Sequence, residues 1–175
     1  LDEAGFCLYS PVSYSYSRIG TQKQLEQVPT RGNRISILGL WQPDQQFDYA
    51  LAQGGFEGER YLKVMDSIAD KAALTLAQMG RLTVVVQDNC KIHKCELVRQ
   101  QWQKWQEQGF FLFFLPPYSA DMNPIEAQWH HLKAHEIAGQ MFEDEYDLAM
   151  AVIQGMETRS QASEYRLERF RFKSA

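Results

Sequence analysis

Apolar and polar positions follow two different periods along the chain, and the change between them divides it. Arg34 to Trp41 is an apolar, partly β-branched run that stops at the turn-prone Gln42-Pro43-Asp44, and Phe47 to Ala52 resumes it. Two such runs across a short polar break predict a hairpin. Asp2 to Tyr9 reads as a further strand, and the Tyr/Ser alternation of Tyr14 to Gly20 as a half-exposed one. The first 52 residues therefore read as an antiparallel sheet.

After Gly54-Gly55 the period lengthens. From Glu57 to Met79 the apolar Tyr61, Leu62, Met65, Ile68, Ala69, Ala72, Leu76 and Met79 recur every three or four residues, the mark of an amphipathic helix, with Gly80 to end it. Leu82 to Val86 is a short continuous apolar run, as expected of a strand buried on both faces. A helix over His93 to Gln108, closed by Gly109, leads to a second such strand, Phe110 to Leu115, which Pro116-Pro117 stops. Phe113 falls in the core on this reading. Helices over Pro124 to Ala138 and Asp144 to Arg159 complete the pattern. Antiparallel strands followed by strand, helix and strand predict an α/β domain with parallel crossovers.

Composition narrows the class without identifying it. A chain of 175 residues that is 45% hydrophobic and 23% charged fits one globular domain over 1–175 rather than a disordered segment. No run approaches the roughly 18 apolar residues of a membrane span, and the N-terminus has no secretory pattern, so the default expectation is cytoplasmic, with no membrane partner. Cys7, Cys90 and Cys95 are sparse and odd in number, and read as reduced thiols. Cys90, His93 and Cys95 lack the paired motif and fourth ligand of a structural zinc site. The net charge of −4 argues against a free-standing nucleic-acid binder. The basic, aromatic stretch Arg166 to Lys173 reads either as a DNA contact or as a solvated helix end or linker.

Three acidic residues hold the candidate chemistry. Asp88 follows directly on the buried run Val84-Val85-Val86-Gln87, where a carboxylate is costly unless water or metal reaches it, although Asp-Asn is also ordinary turn chemistry. Glu126 falls in the first turn of a helix expected to be capped by Asn123 with Pro124 first, a place a carboxylate favours whatever its role. Asp2, at the start of the chain, draws no notice from composition alone.

Taken together, the motifs resemble a known family. Asp2-Glu3-x-Gly5-Phe6, an apolar strand ending in Asp88-Asn89 with His93 five residues after the Asp, and Leu-Pro-Pro-Tyr-Ser-x-Asp-x-Asn-Pro-Ile-Glu-x-x-Trp-x-x-Leu-Lys over Leu115 to Lys133 are similar to DDE-type transposases of the mariner-like bacterial insertion-sequence branch. The likeness spans Asp2 to about Lys133. It implies a ribonuclease-H-like fold: a mixed sheet of about five strands, the first three antiparallel and the last two parallel, flanked by helices. Residues 139–175 would form a helical extension, and the family's N-terminal helix-turn-helix segments have no counterpart here; such segments would supply the basic charge this chain lacks.

The resemblance also implies the site. Asp2, Asp88 and Glu126 would bind two Mg²⁺ ions, with Mn²⁺ as a substitute, because paired hard cations take oxygen ligands and can serve phosphodiester chemistry. Asn89, His93, Asn123 and Lys133 would touch substrate, though His93 fits equally a helix cap and Lys133 a surface lysine. Trp129, with Ile125 and Leu132, reads as the core face of its helix. The implied reaction is hydrolysis at transposon ends and strand transfer of the freed 3′-hydroxyl into target double-stranded DNA, by a homodimer. The alternatives are a related nuclease on the same fold and a non-catalytic remnant of an insertion element.

Overall fold

A computed structural model of the chain describes residues 1–8, 18–20, 33–117 and 119–172. Its strands and helices, in chain order, are β1 (Asp2–Phe6), β2 (Ile35–Gln42), β3 (Gln46–Gln53), α1 (Gly58–Met79), β4 (Thr83–Gln87), α2 (Glu96–Arg99), α3 (Trp102–Glu107), β5 (Phe110–Phe114), α4 (Ile125–His131), α5 (Glu145–Ala162) and β6 (Arg166–Phe170). The expected strand over Tyr14 to Gly20 lies outside the described residues apart from its last three. No described helix is long and apolar enough to cross a membrane.

The hairpin forms where the apolar runs predict it. β1 and β3 flank β2, both antiparallel, with Asp2 opposite Gly39 and Ala50 opposite Leu38. Asp44 turns the hairpin at φ 58°, a left-handed conformation that Asp tolerates better than most residues. Successive side chains point to opposite faces, so β2 feeds two cores. Ile35 and Ile37 join Phe47, Ile125, Trp129, Leu132, Leu148 and Val152 on one face; Leu38 joins Ala50, Tyr61, Met65, Ala69, Val85 and Trp105 on the other. The sheet is thus sandwiched between α1 with α2 and α3, and α4 with α5.

β4 and β5 pair in parallel, Val85 opposite Leu112. They form a separate two-stranded set beside the four-stranded β1-β2-β3-β6, giving six strands among the described residues rather than about five. The sets meet where the Leu1 nitrogen donates to Val86 O at 2.6 Å.

Four expectations need correction. β4 and β5 are not buried on both faces: Val84 is 57% and Phe113 55% exposed, because α4 and α5 cover β1 to β3 and stop short of this pair. The helix expected over His93 to Gln108 is three pieces, a 3₁₀ turn at Lys91–Lys94, then α2, then α3. Cys95 is extended there (ψ 158°), and the turn before it faces His93 inward while Val98 and Trp105 keep the inner face beyond the break. Asn123 does not cap α4 with its side chain, which is turned to β1, and beyond His131 the helix loosens into a π-helical segment at Leu132–Ile137. Within 139–175, α5 is helical and is capped by Asp144 Oδ1 on Asp147 N, but Arg166–Phe170 forms a strand rather than a helix end or linker. There β6 runs parallel to β3, placing Leu167 opposite Phe47 and Phe170 opposite Ala50, so its two apolar residues enter opposite cores.

Candidate active site

The ends of β1, β4 and β5 and the start of α4 meet at one corner of the domain, and polar side chains of the motifs tie them together. Asn123, 5% exposed, donates from Nδ2 to Leu1 O at 3.2 Å and so fixes the entry of α4 to the start of β1. Asn89 donates to Leu115 O and accepts from Lys94, joining the ends of β4 and β5. Beneath them the Tyr61 hydroxyl donates to Gln87 Oε1 at 2.7 Å. Buried polar groups satisfied in this way fix geometry, since breaking one leaves its partner unpaired in a low dielectric.

These ties shape a cleft of about 340 Å³ lined by Asp88, Asn89, Cys90, Leu115, Pro116, Pro117, Ser119, Asn123 and Glu126. Asp88, 53% exposed at its side chain, and the exposed Glu126 thus share one cavity although 38 positions apart in sequence. Asp88 Oδ1 accepts from Cys90 N at 2.9 Å and lies 2.9 Å from His93 Nδ1, which also meets Asp88 O at 3.4 Å. His93 itself is 2% exposed, with its ring centroid 4.7 Å from that of Tyr61. Burial pulls its pKa below the ordinary value against the opposing pull of Asp88. Its ring is turned inward under Asp88 and away from solvent.

Asp2 sits on the α4 side of β1, beside the cleft but outside its lining. Its Oδ2 accepts from Trp129 Nε1 at 3.0 Å. Burial lifts the Asp2 pKa from 3.8 to about 6; a backbone hydrogen bond at Glu3 and the Leu1 ammonium oppose the rise, and the charges of Asp88 and Glu126 add to it. Asp2 is therefore held toward its neutral form mainly by burial, with the charges of Asp88 and Glu126 adding to it. Among the described residues no three Asp, Glu, His or Cys side chains converge closely enough to hold an ion in this arrangement. The donor set nevertheless suits one: carboxylate oxygens are what hard divalent cations take, and the cleft of about 340 Å³ has room for cations with their waters.

The remaining expected substrate contact, Lys133, lies two turns along from Glu126, with Nζ 5.7 Å over the Phe6 ring. Trp129 lies on the core face of its helix, where periodicity places it, and has a polar contact besides. It is 4% exposed and edge-on to Phe47 at 5.6 Å, and its one polar atom reaches Asp2. A tryptophan at a helical core position carries an N–H that must find an acceptor when buried, and that was the available signal.

The family model described as DDE superfamily endonuclease matches residues 1–149. The chain belongs to the DDE superfamily of endonucleases. No curated protein matches it. Among solved structures, the Mos1 mariner paired end complex with Mn matches at TM-score 0.65 and 16% identity, over 93% of this chain and 52% of that one. The Mos1 transposase paired-end complex with left transposon end gives 0.62 and 16% over the same shares. The Mos1 transposase catalytic domain with Raltegravir and Mg gives 0.51 and 15%, over 75% of this chain and 73% of that one. At these identities the likeness establishes the fold, which is that of the ribonuclease-H-like Mos1 catalytic domain. This DDE chain spans about half the length of the longer Mos1 chains it resembles.

Proposed function

We propose that this chain is the catalytic domain of a DDE-type DNA transposase, in which Asp2, Asp88 and Glu126 bind two divalent cations, Mg²⁺ or Mn²⁺, at a DNA phosphodiester. The observation that carries the reading is the shared corner: Asp88 and Glu126 line one cleft, and the charges of both act on Asp2. The family match and the likeness to Mos1 complexes with Mn, Mg and transposon-end DNA support it.

Bound there, the cations would supply Lewis acidity toward the phosphoryl oxygens and lower the pKa of an attacking water or 3′-hydroxyl. The chain's own residues do the placing. Asp88, exposed at the end of β4, offers Oδ2, since Oδ1 already accepts from Cys90 N and sits against His93 Nδ1. Glu126 enters from the first turn of α4, whose position Asn123 fixes. Pro116, Pro117 and Ser119 line the same cleft, in which a strand of DNA would rest. The partners on this reading are transposon-end and target double-stranded DNA, bound by a homodimer, with Asn89 and Lys133 toward the DNA.

The test is Mn²⁺-dependent cleavage of duplex DNA by the full chain, with Asp2→Asn, Asp88→Asn and Glu126→Gln as variants that remove charge and keep volume. Each should lower cleavage by more than about 100-fold, beyond the usual cost of losing a group that only supports a metal ligand. Cleavage retained by any one variant removes that residue from the site. Joining of a 3′-hydroxyl end to target DNA separates a transposase from a purely hydrolytic nuclease.

A further inference from the structure

Trp129 occupies a place that the fold prepares for it. Asp2 and Gly39 face each other across β1 and β2, and Gly39 is where the far edge of the indole lies. A Cβ at Gly39 would stand 2.5 Å from Trp129 Cη2 and 2.7 Å from Cζ2, and 2.8 Å from Phe47 Cε1. Real Cβ atoms do not come so close, so any other residue at position 39 would push the ring off the sheet. With the notch open, the indole lies across the two strands, edge-on to Phe47, and its Nε1 comes within 3.0 Å of Asp2 Oδ2. The Glu3 backbone also hydrogen-bonds the Asp2 carboxylate.

We propose that Trp129 is a positioning residue for the reaction: its buried N–H occupies one oxygen of Asp2 and presents the other toward the cleft, with Gly39 as the notch that admits the ring. The proposal rests on the metal-binding reading above. The physical reason is rotational. A carboxylate on the first residues of a strand turns about χ2, and a buried side-chain donor fixed on one oxygen, beside the Glu3 backbone hydrogen bond, narrows that rotation and selects the orientation presented to the cleft. Asp88 is held alike, since His93 Nδ1 and Cys90 N both meet its Oδ1. Trp129 touches no reacting atom on this account and acts only through Asp2.

The full chain, its Trp129→Phe variant and its Gly39→Ala variant would be titrated with Mn²⁺ alone, free ion being followed by electron paramagnetic resonance. Trp129→Phe keeps the aromatic packing on Phe47 and loses the N–H. It should bind Mn²⁺ about 10- to 100-fold more weakly. Gly39→Ala, with Trp129 intact, should weaken binding in the same direction. In a ¹H–¹⁵N spectrum of the wild-type chain, the Trp129 indole resonance should shift on adding Mg²⁺, while those of Trp41, Trp102 and Trp105 stay in place. Wild-type Mn²⁺ affinity in a folded Trp129→Phe chain, or an unmoved Trp129 indole resonance in a chain that does bind Mg²⁺, overturns the proposal and leaves the metal reading standing. A wild-type chain that binds no Mn²⁺ overturns the metal reading, and the proposal with it.

Discussion

Phe47 and Phe113 both lie within strands, one in the alternating β3 and one in the wholly apolar β5, and meet opposite fates. Phe47 is fully enclosed between Trp129 and Tyr165; Phe113 is 55% exposed. The difference belongs to the two strand sets. β1 to β3 have α1 on one face and α4 with α5 on the other, whereas on β4 and β5 only the face carrying Val85 and Phe110 is packed. The candidate carboxylates inherit this contrast. Asp2 comes from the doubly covered sheet and is partly buried with a raised pKa, while Asp88 comes from the half-covered pair and stands in solvent at the mouth of the cleft. One scaffold thus offers a site one carboxylate that water reaches poorly and another that it reaches freely.

The contrast can be broken most forcefully at its aromatic pair. Phe47→Ala should cost about 3 to 5 kcal/mol in denaturant unfolding, the range for truncating an enclosed aromatic. A loss under about 1 kcal/mol would mean that the α4–α5 layer is not packed on the sheet. Asp2 gives an intermediate effect. Its pKa is raised on folding from 3.8 to about 6, so the folded chain prefers its neutral form. The associated stability is complete below about pH 4 and is lost as pH rises through 6. The full shift corresponds to ~3 kcal/mol, which partial exposure reduces to about 1 to 2. Metal-free Asp2→Asn should therefore be the more stable protein at pH 7 by that amount and show no advantage near pH 4. Equal stability of the two chains at pH 7 would show that the Asp2 carboxylate is solvated like that of Asp88. The smallest effect is expected at Phe113→Ser, within about 0.5 kcal/mol of wild type. A loss beyond 2 kcal/mol would show that this face is covered in solution.

Much of the fold was readable from period alone because the covered sheet obeys simple rules. The hairpin at Pro43-Asp44, the helix ending at Gly80 and the strands after it all follow from local turn chemistry and apolar spacing. Burial of the β4–β5 pair was not readable. Val84-Val85-Val86 and Phe110 to Phe114 are apolar at every position, so the sequence carries no alternation to tell the packed face from the open one. The strand at Arg166–Phe170 was hidden by its two arginines and glutamate, whose charged ends reach solvent while Leu167 and Phe170 pack. At the candidate site, Asp88 and Glu126 could be named from their places at a strand end and a helix start, but Asp2 only through the family motif. The ties of Asn89, Asn123 and Trp129 span 26, 122 and 127 positions of sequence, distances that no local pattern encodes.

The central claim is that Asp2, Asp88 and Glu126 form one metal site. An anomalous-difference map from a crystal of the chain soaked in Mn²⁺ tests it most directly. A peak in the cleft ligated by Asp88 together with Asp2 or Glu126 is the predicted result. Saturating Mn²⁺ that leaves the cleft without a peak, or that places the ion away from these carboxylates, would contradict the account.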